Sequence, residues 1–230
     1  MAEHWMIAGA NRGIGLELAR RAAARGETLT VSVRNEEARA ALSAKLAQQH
    51  AAPRILAFDV RDSSAIAIAA ARAAEPIDVL IANAGIAGPQ RQSPLDFDFD
   101  GALDLFSVDT LGPLRVAQAF LPQLRRGRNP RLVFISSIMG SMAFEGASMI
   151  GYRAAKAALN KLMQGLAEAV KPEGVTVVAL HPGWVRTDMG GREAPLSVEE
   201  SASGIIDTVD ALTLADAGRF LDWQGETVAW

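Results

Sequence analysis

An α/β doubly wound fold, with a parallel sheet of about seven strands and helices on both faces, is what this sequence predicts. Three observations carry that expectation. Short runs rich in Val, Ile and Leu alternate with alanine-rich helical patterns along the whole chain. The short runs are continuously apolar, as in strands buried on both faces. The loops richest in Gly and Pro, 85–94 and 182–195, both follow strand runs, where open α/β sheets bind their ligands.

In chain order the strand runs lie at about 4–9, 27–33, 54–60, 77–82, 131–136, 175–181 and 218–223. Helical patterns fill the intervals at about 13–25, 36–49, 63–74, 99–124, 151–170 and 198–212. There is no internal repeat and no low-complexity linker, so residues 1–230 are read as a single domain. Hydrophobic residues make up 50% and charged residues 21%, an ordinary globular balance. The net charge of -3 offers no basic footprint for nucleic acid. The absence of cysteine excludes disulfides, thiol catalysis and thiolate metal sites, and fits a cytoplasmic location. Three histidines, His4, His50 and His181, stand far apart and match no metal-ligand spacing. The opening Met1-Ala2-Glu3-His4-Trp5 has no apolar export core, and no apolar run approaches the length of a membrane span. The partner expected is therefore a small molecule, with neither nucleic acid nor membrane.

The first strand run ends in Ala8-Gly9-Ala10-Asn11-Arg12-Gly13-Ile14-Gly15, and a helical pattern starts at once. Gly9 allows a tight turn off the strand. Gly13 lets backbone N–H groups and the helix dipole approach a pyrophosphate. Gly15 allows close packing of helix on strand. The spacing is G-x-x-x-G-x-G rather than the commoner G-x-G-x-x-G. A plain strand-to-helix turn is the bland alternative; the position, between first strand and first helix, points to a dinucleotide. The second strand run ends in Arg34-Asn35, with Arg34 placed 19 positions after Gly15. An acid there suits the ribose 2′-hydroxyl of NAD, whereas an arginine suits a 2′-phosphate. Arg12 can add a second cation, so NADP(H) is expected over NAD(H). A solvated loop arginine is the alternative for Arg34. Asn35 reads as a helix N-cap, with Glu36 and Glu37 suiting a first turn.

Tyr152, the one tyrosine of the chain, stands four residues before Lys156. On a helix both side chains share a face, and the ammonium favours the phenolate and lowers its pKa. Such a phenol can exchange a proton with an alcohol oxygen. By itself the pair could equally be a surface cation beside a ring.

With Gly-x-x-x-Gly-x-Gly at the start and Tyr152-x-x-x-Lys156 in the middle, the sequence resembles the short-chain dehydrogenase/reductase superfamily over nearly its whole length. Asp59-Val60 resembles the acidic turn that holds adenine. Asn83-Ala84-Gly85, Ser136-Ser137 and Pro182-Gly183 match further motifs of that family. Finer features, Ser137 to Met142, His181 to Gly191 and Gly218 to Trp230, are similar to the C-factor-like and carbonyl-reductase-like branch.

The resemblance implies a Rossmann-type fold and hydride transfer between NADP(H) and a carbonyl or alcohol, with ketone or aldehyde reduction expected. It implies that Tyr152 is the general acid and base. Lys156 tunes it and holds the nicotinamide ribose, and Ser137 bonds the substrate oxygen, with Ser136 and Ser141 as alternatives. Gly9, Asn11, Arg12, Gly13, Ile14, Gly15, Arg34, Asp59, Val60, Asn83, Ala84, Gly85, Pro182, Gly183, Val185 and Thr187 would contact the cofactor. The family's fourth catalytic residue is an asparagine, and here Asp109 stands in its place. A carboxylate near Lys156 stabilises the ammonium and lessens its pull on Tyr152. Ser137, Met139, Phe144, Met149, Trp184 and Met189 are the expected substrate pocket, whose methionines make adaptable walls for apolar carbonyl compounds. The patterns 99–124 and 151–170 are the family's usual subunit interface, so a homodimer or homotetramer is expected, a monomer being the alternative. A second class of function, C-factor-like signalling or NADP(H) sensing, would bind the cofactor with little or no turnover.

Overall fold

Strand β1 (His4–Ala8) runs through the middle of a seven-stranded sheet, and its residues alternate between two cores. Trp5 and Ile7 enter one apolar cluster; Met6 and Ala8 enter the other. The computed structural model describes residues 2–47 and 52–230. After β1 come β2 (Thr28–Val33), β3 (Arg54–Ala57), β4 (Val79–Ala82), β5 (Gln92–Ser93), β6 (Asp96–Phe97), β7 (Arg131–Ile135), β8 (Thr176–His181) and β9 (Phe220–Asp222). The sheet order is β3-β2-β1-β4-β7-β8-β9, parallel at each pairing, while β5 and β6 pair antiparallel apart from it. The chain therefore starts centrally, runs to one edge, returns to β4 and fills the other edge. The reversal between β1 and β4 leaves a crevice at the strands' C-terminal ends.

Helices α1 (Gly13–Ala24), α2 (Glu36–Leu46) and α7 (Val198–Ala211) cover one face through buried Leu18, Leu42 and Ile205. The other face is covered by α3 (Ser63–Arg72), α5 (Gly112–Leu124) and α6 (Ile150–Val170) through Ile66, Phe120 and Leu159. The doubly wound expectation holds, with helices on both faces of a seven-stranded parallel sheet. Side chains start several helices. Asn35 accepts from the Ala38 N–H at 2.9 Å, as its position in the sequence predicts. Asp62 and Asp98 do the same for α3 and α4 (Phe99–Phe106), and Ser197 forms a capping box with Glu200 on α7. Helix α1 differs. Its N-cap, Arg12, makes no capping hydrogen bond, which leaves the first N–H groups of that helix facing the crevice mouth.

Several expected boundaries move. Strand β3 ends at Ala57, so Phe58-Asp59-Val60 is loop, and the last strand pairs only over Phe220–Asp222. Residues 48 and 49 of the expected helix 36–49, and His50, lie outside the described residues. The expected helix 99–124 is broken: α4 passes into a π-turn at Ser107–Leu111 before α5 begins. Segment 86–97 carries the short β5–β6 hairpin. Ala155 faces inward beside Tyr152, while Ala154 is exposed. No helix is long and apolar enough to cross a membrane, and no group of three potential metal ligands occurs among the described residues.

Candidate active site

The crevice is a cleft of about 670 Å³, within the usual range for small-molecule and cofactor sites. Gly9, Asn11, Arg12, Gly13 and Ile14 line it from the first turn, and Arg34 from the end of β2. Asp59 and Val60 follow β3, and Asn83, Ala84 and Gly85 follow β4. Asp109, Tyr152 and Lys156 line the other end, with Pro182, Thr187 and Met189 from the loop after β8. Residues brought together from across the sequence thus share one cavity. Asn83 ties two of the loops by donating its side-chain N–H to the Gly9 carbonyl at 2.8 Å. A Cβ at Gly9, where φ is +83°, would lie 2.7 Å from the Ala84 Cα, so only glycine permits this approach.

Three of the expected cofactor contacts do not line the cleft. Gly15 sits beneath the turn, where a Cβ would meet the Gly9 carbonyl oxygen at 2.2 Å; its job is packing. Gly183 packs against Leu196 and Trp223. Val185 is buried and bridges to Leu196. The expected substrate pocket also divides. Met139 and Met149 pack in the small apolar group around Tyr152, and Met189 lines the cleft. Phe144 and Trp184 are 48% and 57% exposed and stand outside the cleft wall, with the Trp184 indole N–H donating to the Gly190 carbonyl at 2.8 Å. Ser137 is buried and does not line the cleft itself; it stands beside the phenol, and its Oγ accepts from the Met139 N–H at 3.1 Å. Of its alternatives, Ser136 spends its hydroxyl on Asn160 at 2.5 Å, and Ser141 Oγ accepts from the Ala143 N–H at 3.1 Å.

The inner end of the cleft is a buried ion pair under a phenol. Lys156 Nζ lies 3.2 Å from Asp109 Oδ2, donates to the Ile135 carbonyl at 3.2 Å, and sits 5.6 Å from the Tyr152 ring centroid. Asp109 has no exposed surface, and its Oδ1 accepts from the Ile86 N–H at 2.8 Å. Its Oδ2 faces the ammonium without a well-aligned hydrogen bond. The π-turn explains how a carboxylate reaches this place. Such a turn bulges one residue out of an α-helix, commonly at functional sites. Here Thr110, next to Asp109, donates to the Ala155 carbonyl at 2.8 Å and pins the bulge to α6.

Burial sets the electrostatics. It pushes the Asp109 carboxyl above its ordinary range, against the pull of Lys156 and of the Ile86 N–H. Burial lowers Lys156, but the charge of Asp109, the phenolate of Tyr152 and the contact with Asp109 outweigh it, so the ammonium is held up. Tyr152 ends above its ordinary value: burial raises it, Lys156 lowers it, Asp109 raises it again and Ser137 lowers it. The sequence leads to a lowered phenol pKa. The lysine does pull that way, and desolvation of the phenolate is larger.

The outer end is exposed and cationic. Arg34 stands there, Arg12 pairs with Asp188 at 2.7 Å across the cleft mouth, and Lys45 reaches from α2 to the Asn11 carbonyl at 3.2 Å. Asp59 is held by Arg61, which also pairs with Asp104 of α4; the Arg61 side chain, acting first through its hydrogen bond, lowers the Asp59 pKa. Sequence reasoning missed Lys45, Arg61, Asp104 and Asp188. Lys45 sits on a helical pattern with no motif, and the Arg12–Asp188 pair joins positions 176 apart.

A family model described as short chain dehydrogenase matches residues 3–195. C-signal of Myxococcus xanthus is 42% identical over 156 residues, covering 67% of this chain and 93% of that protein. Among solved structures, the carbonyl reductase Sniffer of D. melanogaster superposes with a TM-score of 0.90 at 31% identity, covering both chains completely. The NADPH-bound carbonyl reductase from chicken fatty liver gives 0.91 at 31%, covering 100% of this chain and 99% of the other.

Proposed function

The chain belongs to the short chain dehydrogenase family, and from that premise we propose that it is an NADP(H)-dependent carbonyl reductase with Tyr152 as proton donor. The observation that carries this reading is the pairing of two ends in one cleft: a buried phenol over an ammonium, and a cationic mouth beside an uncapped helix N-terminus. The cleft fits the cofactor. Its turn has no side chain at Gly9 or Gly13, and α1 offers free N–H groups to a pyrophosphate. Arg34, with Arg12 and Lys45, suits a 2′-phosphate and supports NADP(H) over NAD(H). Asp59 would face the adenine, and Thr187 the carboxamide.

When bound, the nicotinamide supplies the hydride for carbonyl reduction or accepts it in the reverse direction. The chain's own residues manage the proton. A phenol whose pKa is raised stays protonated at neutral pH and can donate to a carbonyl oxygen as negative charge develops there. Ser137 donates to the same oxygen and stabilises it. Lys156 would hold the ribose of a bound cofactor; it supplies positive charge beneath the phenol, and Asp109 keeps that ammonium charged and in place. Met139, Met149 and Met189 would give the substrate an adaptable apolar wall.

The likeness to C-signal favours a second reading, in which the chain binds NADP(H) and signals with little turnover. One experiment separates the two. NADPH consumption is followed against a panel of aldehydes, ketones and diketones, with Tyr152→Phe as control. The reductase reading expects turnover that the control loses while still binding NADPH. Tight NADPH binding with no turnover across the panel overturns it in favour of signalling.

A further inference from the structure

Helix α6 carries Tyr152 in its first turn, and that turn has no cap of its own. Its N-cap, Met149, sits at φ +52° in the left-handed region and makes no side-chain cap. The first N–H groups of a helix have no partner within it. The Tyr152 N–H finds one elsewhere: it donates to Gln92 Oε1 at 2.8 Å, from a residue 60 positions earlier. Gln92 is itself gripped at its other end. Its Nε2 donates to the Ala87 carbonyl at 2.8 Å and to the Pro89 carbonyl at 2.7 Å. The side chain is buried, with 6% of its surface exposed. Gly151 makes room for it, since a Cβ there would lie 3.0 Å from Gln92 Oε1 and 3.3 Å from Phe97 Cζ.

We propose that Gln92 is a positioning residue for the proton transfer: it locks the first turn of α6, and so Tyr152, to the loop that follows β4. The proposal rests on the reading of Tyr152 as proton donor. That same loop holds Asp109 through the Ile86 N–H. Phenol and carboxylate are therefore referenced to one strip of backbone, which also lines the cleft at Asn83, Ala84 and Gly85. The chemistry explains the residue type. The place needs two donors at one end, for two carbonyls, and an acceptor at the other, for an N–H. Among uncharged side chains an amide supplies both. Glutamate has no donor when ionised, and asparagine is one methylene shorter. An unanchored turn lets the phenol drift, and a misplacement of about 1 Å costs roughly a hundredfold in rate.

The single tyrosine makes the test direct. Labelling with ¹⁵N-tyrosine gives one backbone amide signal, that of Tyr152. In Gln92→Met, which keeps the length and removes the hydrogen bonds, that amide is expected to exchange at least tenfold faster than in wild type. Turnover is expected to fall roughly 10- to 100-fold in kcat, while the NADPH dissociation constant stays within about twofold of wild type because Gln92 does not line the cleft. An unchanged exchange rate overturns the proposal, and so does faster exchange with unchanged kcat. Should that variant not fold, Gln92→Asn keeps both the donors and the acceptor on a side chain one methylene shorter, and is expected to show smaller changes in the same directions; wild-type values in both would overturn it. A wild type that binds NADPH and reduces nothing removes the reductase reading and with it the catalytic half of the proposal. The amide signal then still decides whether Gln92 holds Tyr152.

Discussion

Arg12 and Asp188 meet at 2.7 Å with more than half of each side chain in solvent, whereas Lys156 and Asp109 meet at 3.2 Å with both buried. The two ion pairs stand at opposite ends of one cleft and obey different physics. At the mouth, water and salt screen the charges, so pairing contributes at most about 1 kcal/mol and can be exchanged for a ligand phosphate. At the inner end both side chains are buried and bulk solvent does not reach the charges. Each ion depends on the other, because removing one partner of a buried pair leaves an uncompensated charge. On the proposed function, charge at the mouth would select the cofactor and charge at the inner end would hold the proton.

The largest effects that would test this contrast lie at the buried pair. Lys156→Met is expected to lower kcat about 10²- to 10⁴-fold and to cost roughly 3–5 kcal/mol of stability by stranding Asp109. Adding Asp109→Asn should return most of the stability and none of the activity. Denaturant unfolding and steady-state rates read both, and a double variant no more stable than Lys156→Met would break the picture of a mutually dependent pair.

Next in size is a pH effect near the same end. His181 closes β8, its Nδ1 has no hydrogen-bond partner among the described residues, and burial pushes its pKa down to about 4 against the pull of Asp222. Above its ordinary pKa of 6.5 the ring is neutral folded or unfolded. Below that value the unfolded chain takes up a proton that the folded one resists. Stability should therefore fall between about pH 6.5 and 4, by about 3 kcal/mol. His181→Gln should flatten the curve in that window; an unchanged slope would place the acid sensitivity elsewhere.

At the mouth, Arg34→Asp should shift the ratio of kcat/KM for NADPH over NADH toward NADH by roughly 10- to 100-fold, the worth of a charge-assisted hydrogen bond. Equal ratios would remove Arg34 from the 2′-phosphate. Asp109→Asn asks for a smaller and finer measurement. Asp109 raises Tyr152, so its loss should lower the phenol midpoint in an ultraviolet titration that only one residue can produce. A midpoint that rises would sink the coupling. Smallest of all, Asp188→Asn should change stability by less than about 1 kcal/mol and tighten NADPH binding slightly, by freeing Arg12. A large loss of stability would mean that the two ends are less different than their exposure suggests.

The sheet, its helices and the glycine turn were legible because each rests on a local pattern: continuous apolar runs, alanine-rich helices, Asn35 before two acids. The position of Tyr152 and Lys156 in one cavity with Gly9, Asn83 and Pro182 was likewise readable from motifs in order. What was not legible came from places without a local signature. The π-turn at Ser107–Leu111 departs from helical spacing by one residue, too little to stand out in a mixed polar and apolar stretch. Gln92 is a polar residue in a Gly- and Pro-rich loop, and its role depends on a partner 60 positions away. The direction of the Tyr152 shift needed the balance between burial and a neighbouring ammonium. The spacing of the pair gives only the second of these.

The π-turn also has a meaning for the helix as a rotating object. An α-helix turns about 100° per residue, so one bulged residue leaves α4 and α5 out of phase by about that angle. Leu105 before the bulge and Val116 after it are both fully buried, in different apolar groups. A single uninterrupted α-helix of the same length would keep one of these faces inward and swing the other toward water. The extra residue thus works as an angular offset, letting one long segment aim two faces independently, with Asp109 at the joint.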